Sequence, residues 1–257
     1  HSLSPLLHNY WISQKKKNSY YCPIEIKNLT GIDKSIKQLN FRGINVTIPY
    51  KKTIINYLDR VDSVSKKLNA VNTIVNNEGE LIGYNTDISG FEFGLSKIPK
   101  QDIKKPALVI GAGGAAEAIT YALAKNTRNE VFVMNRTKKR ADALAERYEN
   151  VYSKKWLNYD IINNSNLIVN TTSLGMLGQK ELEISLKEVS KNTVIYDIVY
   201  NPLKTSFIKQ ALIKKLRVIT GLDMFIGQAR ESFKLWFNTL PYVDENILIK
   251  IKKVINK

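Results

Sequence analysis

The chain has 257 residues, 44% of them hydrophobic, which is enough to bury one large or two modest cores. Its single cysteine, Cys22, excludes an internal disulfide, and the sequence holds no cysteine and histidine cluster, so no metal is expected. The net charge of +16 suggests an anionic partner, but lysines are spread along the whole chain without interleaved aromatic residues, which argues against nucleic acid.

Residues 107–124 are the stretch that most resembles a membrane span, but Gly111, Gly113, Gly114 and Glu117 interrupt it, so no membrane segment is expected. The start shows no signal-peptide pattern. Together with the single cysteine, this favours a reducing, cytoplasmic compartment.

The chain opens with His-Ser-Leu-Ser-Pro, in which Ser2 and Ser4 are two residues apart. In an extended segment both hydroxyls would project from one face and could bind one small polar ligand. Alternatively, Ser4 is the N-cap of a helix that has Pro5 at its first position. The residues alone favour the cap, which would not exclude a ligand contact.

A separate α/β unit follows, with predicted strands at residues 43–48, 71–75 and 81–84, helices at 49–58 and 62–68, and a hairpin turn at 76–79. Pro49 would begin a helix with Lys51 in its first turn. There the helix dipole would favour the neutral amine, a condition under which lysine can exchange protons. A solvated basic helix start, with Lys52 alongside, explains the position equally well.

Asp87, in the segment GYNTD, is the nearest candidate carboxylate partner for Lys51. Asn72 and Asn85 could supply amides that recognise hydroxyl groups. Taken singly, each of these polar residues is also a common turn former.

Residues 107–116 form an apolar strand, a glycine turn and the start of a helix. Gly111 would allow the tight turn, Gly113 the approach of a pyrophosphate, and Ala116 the close packing of helix and strand. The helix N-terminus would then face the phosphates with free N–H groups and the positive end of its dipole. The alternative is a glycine turn that serves packing alone.

The second strand, residues 130–134, is followed by Asn135, Arg136 and Thr137 and by no acidic residue. An NAD site would place a carboxylate here, on the ribose 2′-hydroxyl. The Arg136 guanidinium would instead pair with a 2′-phosphate, so NADP is predicted. A solvated basic loop is the alternative.

From residue 107 onward strands and helices alternate, which predicts a doubly wound parallel sheet with strands at 107–110, 130–134, 167–170, 193–198 and 217–219. The linker over residues 97–106 predicts a crossing between two units. Helical stripes at 225–240 and 247–255 are expected to pack back on the first unit. The predicted domains are residues 1–90 completed by 225–257, and residues 91–224.

Two loops at the carboxyl edge of the sheet are candidate ligand sites, because ligands bind at that edge. Tyr200 lies in one of them, and residues 170–173 with Gly175 and Met176 could line a nicotinamide pocket. Gln228 could reach into the cleft, although an exposed glutamine on a helix is equally ordinary.

The segments HSLSP, NVTIPYK, NAVNT, GYNTD, GAGGAA, NRT, NTTSLGM, DIVYNP and GLDMFIGQA occur in the order and approximate spacing of the shikimate dehydrogenase family, which the chain resembles over nearly its whole length. The resemblance implies a Rossmann dinucleotide-binding domain plus a smaller α/β substrate domain. It also implies NADP-dependent, reversible reduction of 3-dehydroshikimate to shikimate in aromatic amino-acid biosynthesis.

The same resemblance implies the roles of individual residues. Lys51 and Asp87 would form the catalytic pair, and Ser2 and Ser4 would hold the substrate carboxylate. Thr47, Asn72, Tyr200 and Gln228 would complete the substrate pocket. The implied coenzyme contacts are Gly111, Ala112, Gly113, Gly114, Ala115, Asn135, Arg136, Thr137, Thr172, Ser173, Gly221 and Met224.

Two alternatives stay open. One is a quinate/shikimate dehydrogenase that uses NAD or NADP, against which Arg136 and the paired serines argue. The other is a non-catalytic nucleotide-binding or basic nucleic-acid-binding protein, which would leave Lys51 and Asp87 without a role. The expected partner is the small-molecule substrate, with no nucleic acid and no membrane, and a homodimer is an open possibility.

Overall fold

The computed structural model describes residues 2–99, 106–126 and 130–255, so most of the predicted linker over residues 97–106 lies outside the described residues. The chain divides into two compact units. Unit 1 comprises His1–Thr86 and Gln228–Lys257, and unit 2 comprises Asp87–Gly227.

The amino-terminal part of unit 1 contains a four-stranded mixed sheet with order β1-β3-β4-β2, in which β2 joins β4 in parallel and the other pairs are antiparallel. Its elements are α1 (Ser4–Gln14), α2 (Ile32–Gln38), β1 (Gly43–Asn45), a 3-10 helix (Thr53–Tyr57), β2 (Arg60–Val61), α3 (Ser63–Leu68), β3 (Thr73–Asn77) and β4 (Glu80–Tyr84). The core between sheet and helices includes Ile36, Ile54, Val71, Ile74 and Leu81.

Helix α1 begins at Ser4 itself, so the prediction that Ser4 is its N-cap is wrong. The N-cap is Leu3, whose helical backbone angles also rule out the extended geometry expected for Ser2 and Ser4. The Ser2 hydroxyl instead accepts the backbone N–H of Ser4 at 3.2 Å. Ser2 therefore satisfies a donor of the first helical turn, which otherwise has no partner within the helix.

The segment around Lys51 also differs from its prediction, because residues 48–52 form turns and the helical segment begins only at Thr53. The Ile48–Pro49 peptide bond is cis, and the Thr47 carbonyl accepts the N–H of Tyr50 at 2.9 Å. Pro49 therefore does not begin a helix, and the argument that an α-helix dipole acts on Lys51 is wrong.

The hairpin turn predicted at residues 76–79 is confirmed. Glu78 and Gly79 both have positive φ, +51° and +94°, the backbone geometry that a two-residue hairpin turn requires. The Asn76 side chain accepts the N–H of Gly79 at 2.8 Å. Helix α3 is likewise confirmed, with Asp62 as an N-cap whose carboxylate accepts the N–H groups of Val64 and Ser65.

Unit 2 is built on a six-stranded sheet with order β10-β9-β8-β5-β6-β7, in which every pairing is parallel. Its elements are α4 (Asp87–Leu95), β5 (Ala107–Ile110), α5 (Gly114–Asn126), β6 (Val131–Met134), α6 (Lys138–Ala145), β7 (Val151–Lys154), α7 (Tyr159–Asn164), β8 (Leu167–Asn170), β9 (Val194–Asp197), α8 (Ser206–Ile213), β10 (Arg217–Thr220) and the start of α9 (Gly221–Phe237). The predicted doubly wound parallel sheet is confirmed, and its strand order is that of a Rossmann fold.

Strand β5 shows why the sheet is covered on both faces. Ala107 and Val109 pack into one hydrophobic core, which includes Ile119 of α5. Leu108 and Ile110 pack into a second core, which includes Phe207 of α8. Successive residues of a strand point to opposite faces, so a continuous apolar run is what a doubly covered strand requires.

The rest of α9, Gln228–Phe237, belongs to unit 1, as does α10 (Glu245–Ile255). The indole N–H of Trp236 donates to the Ile74 carbonyl at 2.9 Å, and the hydroxyl of Tyr10 donates to Asp244 at 2.6 Å. The expected packing of the carboxyl-terminal helices on the first unit is thus confirmed within unit 1. The predicted stripe is too long, however, because α9 ends at Phe237 and Leu240 is half exposed.

Across the described ranges, none of the helices is both long enough and apolar enough to cross a membrane.

Candidate active site

The glycine turn after β5 has the geometry that a dinucleotide requires. Gly111 has a φ of +115°, and a side chain there would collide with the hydroxyl of Thr171. A Cβ added at Gly113 or Gly114 would meet nothing within 4 Å, so the backbone borders open space where α5 begins. A pyrophosphate fits such a site, because the first N–H groups of a helix have no partner within it.

The three alanines in and directly after the turn differ in burial. Ala116 is fully buried in the core beneath α5, as expected for the position at which helix and strand pack closely. Ala112 and Ala115 are half-buried, and Ala112 packs against the same core.

The loop after β6 presents Arg136 to solvent. The Asn135 side chain donates to the Thr137 carbonyl at 2.9 Å, which gives the loop a fixed shape, and the Arg136 side chain is exposed. The neighbouring ammonium of Lys138 pairs with Asp142 and donates to the hydroxyl of Ser153 at 3.1 Å. Arg136 is therefore the better placed of the two cations for a phosphate group.

The loop after β8 is held by the Asn170 side chain. Its Oδ1 accepts the backbone N–H of Thr172 at 3.0 Å and the Thr172 hydroxyl at 2.7 Å. The Thr172 hydroxyl in turn accepts the N–H of Leu174 at 3.1 Å, and Ser173 between them is exposed. The predicted nicotinamide loop is thus a defined turn whose polar groups are arranged by a single amide.

The loop after β9 carries Tyr200, whose ring stacks on that of Phe225 with centroids 5.0 Å apart. Burial raises the pKa of the Tyr200 hydroxyl, which therefore stays protonated at neutral pH. Gly221 has no room for a side chain because the Ile198 carbonyl lies against it, and Met224 is buried in the core of unit 2.

Asp197 ends strand β9 beneath this loop and is fully buried. Burial raises the pKa of its carboxyl group to about 6, an effect that hydrogen bonds from Thr205, Val199 and Asn170 partly oppose.

In unit 1, the turn that carries Lys51 is tied to the segment before β3. Lys51 is half-buried, and its carbonyl accepts the N–H of Val71 at 2.8 Å. The next residue, Asn72, is almost fully buried, and its Oδ1 accepts the backbone N–H of Thr86 at 2.8 Å. Asp87 follows Thr86 directly, is buried, and lies in the first turn of α4, where the helix dipole favours a carboxylate.

Ser4 lies next to Tyr21, a residue that no motif in the sequence indicates. Burial raises the pKa of the Tyr21 hydroxyl to about 12, which a hydrogen bond from the Ser4 side chain opposes. The Tyr21 hydroxyl also lies 3.1 Å from Oδ1 of Asn45, at the end of β1. Thr47, two residues further, is exposed. Ser4 and the chain leading to Thr47 are therefore brought together through Tyr21.

Unit 1 also contains a buried polar cluster that no motif in the sequence indicates. The hydroxyl of Thr73 lies 2.8 Å from that of Ser232 and 3.3 Å from that of Thr86, and the Asn45 amide donates to Ser232 at 3.0 Å. The Ser232 hydroxyl also donates to the backbone carbonyl of Gln228, whose side chain is half-buried. No spacing rule in the sequence relates Ser232 to Thr73, since they meet only after folding.

The predicted site residues are thus shared between the units. Unit 1 contains Ser2, Ser4, Thr47, Lys51, Asn72 and Gln228, and unit 2 contains Asp87, Tyr200 and every predicted coenzyme residue. The described part of the chain holds no group of three metal-binding side chains.

Two family models match this chain. The model of the shikimate dehydrogenase substrate binding domain matches residues 1–74, and the shikimate / quinate 5-dehydrogenase model matches residues 95–203. The chain belongs to the shikimate dehydrogenase family. This membership confirms the family resemblance noted in the sequence and agrees with the Rossmann-type fold of unit 2.

Individual relatives match this family member over nearly its whole length. Shikimate dehydrogenase (NADP(+)) of Jannaschia sp. (strain CCS1) is 39% identical, over 96% of this chain and 91% of that protein. Shikimate 5-dehydrogenase from Thermus thermophilus, solved in complex with NADP(H) and shikimate, is 34% identical with a TM-score of 0.87, over 99% and 95% of the two chains. Quinate dehydrogenase from Corynebacterium glutamicum, in complex with NAD, is 26% identical with a TM-score of 0.89, over 100% and 95%.

Proposed function

We propose that this shikimate dehydrogenase catalyses the NADP-dependent, reversible reduction of 3-dehydroshikimate to shikimate, with Lys51 and Asp87 exchanging the proton. The single observation that carries the coenzyme choice is the exposed Arg136 after β6, at the position where an NAD site would have a carboxylate. Relatives named shikimate dehydrogenase (NADP(+)) that match over nearly the whole chain support the same reaction.

The residues of unit 2 fit this coenzyme. The backbone from Gly111 to Ala115 would receive the pyrophosphate at the start of α5. Arg136, with Asn135 and Thr137, would hold the 2′-phosphate, and Thr172, Ser173, Gly221 and Met224 would border the nicotinamide. When bound, NADPH supplies the hydride that reduces the ketone.

Side chains of the protein would exchange the proton with the substrate. In the reducing direction the Lys51 ammonium would give a proton to the carbonyl oxygen, which becomes the hydroxyl group of the product. In the oxidising direction the neutral amine would accept the same proton. The Asp87 carboxylate would orient the ammonium and stabilise its charge. Two hydrogen bonds support these positions. The Lys51 carbonyl accepts the N–H of Val71, and the N–H of Thr86, the residue before Asp87, donates to the Asn72 side chain.

Substrate recognition would use hydroxyl and amide groups. Ser2 and Ser4 would donate to the carboxylate, for which the Ser4 hydroxyl would turn its single hydrogen from Tyr21 to the substrate. Asn72, Thr47, Tyr200 and Gln228 would contact the ring hydroxyls and the reacting oxygen.

The second candidate function is that of a quinate/shikimate dehydrogenase, which the structural similarity to quinate dehydrogenase favours. A two-by-two assay separates the candidates: initial rates of coenzyme reduction with shikimate or quinate, each with NADP or NAD. The proposal expects efficient turnover only for shikimate with NADP. Comparable kcat/KM for quinate would favour the second candidate, and no turnover in any combination would refute both.

The location and assembly of the enzyme are also proposals. We expect it in the cytoplasm, which cell fractionation with an antibody against the chain tests. A homodimer is the assembly that light scattering after size-exclusion chromatography would reveal, and a mass of one chain would contradict it.

A further inference from the structure

The buried carboxylate of Asp197 joins three separate segments of unit 2. Its Oδ1 accepts the side-chain N–H of Asn170 at 2.9 Å and the backbone N–H of Val199 at 3.1 Å. Its Oδ2 accepts the hydroxyl of Thr205 at 2.6 Å. A buried carboxylate is stable only when such donors surround it, so the three segments must converge for the charge to be tolerated.

Two of these donors lead directly to predicted ligand contacts. Asn170, which donates to Asp197, uses its other end to hold the backbone and hydroxyl of Thr172. Val199 is the residue before Tyr200. The carboxylate therefore links two loops through hydrogen bonds. One loop carries Thr172 and Ser173, and the other carries Tyr200.

The third donor fixes the carboxylate itself. Thr205 is the N-cap of α8, and its hydroxyl accepts the N–H of Ile208 at 3.2 Å while it donates to Asp197. Because one hydroxyl hydrogen is available, the direction of the Thr205–Asp197 bond is set while the carboxyl group is ionised. Glu181, whose carboxylate accepts the Ser206 hydroxyl at 2.6 Å, repels the charge of the Asp197 carboxylate.

We propose that Asp197 is a positioning residue for the dehydrogenase reaction, which holds the coenzyme loop after β8 and the substrate loop after β9 in one arrangement. The proposal rests on the proposed function, because the ligand contacts of Thr172, Ser173 and Tyr200 belong to it. Asp197 itself touches neither ligand and acts through Asn170 and Val199.

An asparagine at this position would preserve most of the arrangement. Its Oδ1 can accept the same two N–H groups, and its amide N–H can donate to the Thr205 oxygen, which has acceptor capacity. An alanine would leave the Val199 N–H, the Thr205 hydroxyl and one of the two Asn170 amide N–H groups without an acceptor, because the other Asn170 N–H donates to the Leu174 carbonyl. The loops would then shift to find water or other partners. The two variants therefore separate the hydrogen-bonding role of Asp197 from its volume.

The experiment compares wild type, Asp197→Asn, Asp197→Ala and the control Val194→Ala. Val194 lies at the other end of β9 and is as buried as Asp197. For each, Tm, kcat and the KM values for NADP and shikimate are measured. We expect Asp197→Ala to raise both KM values by about tenfold and Asp197→Asn by less than about threefold. Val194→Ala should lower Tm with unchanged KM values, because loss of folded molecules lowers only the apparent kcat.

The proposal is overturned when Asp197→Ala lowers Tm like the control while both KM values stay within about twofold of wild type. If Asp197→Ala does not fold, the same measurements are made on Asn170→Ala, which removes the link between Asp197 and Thr172. An unchanged KM for NADP in that variant would overturn the proposal. Wild type without shikimate turnover would refute the proposed function instead. In that case the dissociation constants for NADP, measured by calorimetry on the same variants, still test Asp197.

Discussion

The backbone carbonyl of Lys51 accepts a hydrogen bond of 2.8 Å from the backbone N–H of Val71. Val71 precedes Asn72, whose side chain holds Thr86, the residue before Asp87. Both members of the proposed proton-exchanging pair are therefore attached, through their backbones or immediate neighbours, to one short segment before β3. This attachment, rather than a helix dipole, sets the position of Lys51.

Replacing Lys51 by alanine should impair the chemical step. We expect kcat for shikimate oxidation to fall by about 10²-fold or more, the usual contribution of a positioned acid or base, while KM changes less. Steady-state rates and circular dichroism check the result and the persistence of the fold. The control is Lys52→Ala, which should be mild because that exposed lysine has no proposed role. A near-normal kcat with a raised KM would show that Lys51 only binds substrate.

Asp87→Asn should also lower kcat, because the amide keeps the shape of the carboxylate but cannot stabilise the lysine charge. Combined with Lys51→Ala, it should add little further loss, since the two residues would act as one unit. The double-mutant cycle in kcat measures this coupling, and fully additive losses would contradict a shared role.

Arg136→Ala should weaken the NADP reaction selectively. Loss of a charge-assisted contact with the 2′-phosphate costs about 1.5 to 3 kcal/mol, which is about 10- to 150-fold in kcat/KM for NADP. The NAD reaction should hardly change, because NAD lacks that phosphate. Lys138→Ala is the matched control, and a small effect is expected since Lys138 already pairs with Asp142. Equal use of NAD and NADP by wild type would show that Arg136 does not select the coenzyme.

Ser4→Ala should raise the KM for shikimate by about tenfold or more, because a hydrogen bond to a charged carboxylate is worth about 1.5 to 3 kcal/mol. Ser13→Ala, an exposed serine of the same helix, should leave KM unchanged. Wild type should also oxidise shikimate far more efficiently than quinate, because quinate adds a hydroxyl at the carbon that bears the carboxylate. An unchanged KM in Ser4→Ala would place the carboxylate elsewhere.

His8 should make the stability of unit 1 depend on pH. Its ring is fully buried, stacks on Tyr21 with centroids 4.5 Å apart, and its pKa is lowered by burial from 6.5 to about 3. Between these values the unfolded chain binds the proton and the folded chain does not. The stabilising effect of the neutral ring is therefore complete above about pH 6.5 and is lost as the pH falls towards 3.

Urea unfolding at pH 7 and pH 5 measures this effect. The free energy of unfolding of wild type should fall by about 2 kcal/mol more than that of His8→Leu over this interval. Titration of all other groups is common to both proteins and cancels in the comparison. Parallel pH dependences of the two proteins would mean that the His8 ring is protonated in the folded state or reached by water.

The strands of unit 2 could be predicted well from the sequence, because the pattern that indicates each strand lies within a few consecutive residues. Strands such as β5 and β8 are buried on both faces and so are continuous apolar runs, and the glycine turn is followed at once by a helix. Strand β7 was missed, since its sequence Val-Tyr-Ser-Lys is half polar and it lies at the sheet edge. Strand β2 was missed because two residues show no periodicity.

Unit 1 was less predictable because its geometry depends on distant partners. The residue type of Pro49 suggested a helix start, but the turn at that position is defined by bonds to Thr47 and, through Lys51, to Val71. The hydrogen bond from Ser4 to Tyr21 joins residues whose spacing follows no helix or strand period. Arg136 and the glycines could be found from the sequence because their function depends on a local turn.

Unit 1 is assembled from two segments that unit 2 separates in the sequence, and this imposes an order on its folding. The Ile74 carbonyl accepts a hydrogen bond from the Trp236 indole, and the Trp11 indole donates to the Tyr242 carbonyl. Neither bond can form before the second segment of unit 1 has been synthesised. By the time Gln228–Lys257 leaves the ribosome, every strand of unit 2 has already been made. Until then the first segment of unit 1 must stay unaggregated, with Trp11 and Ile74 incompletely covered. It is therefore the part of this protein that would depend most on a chaperone.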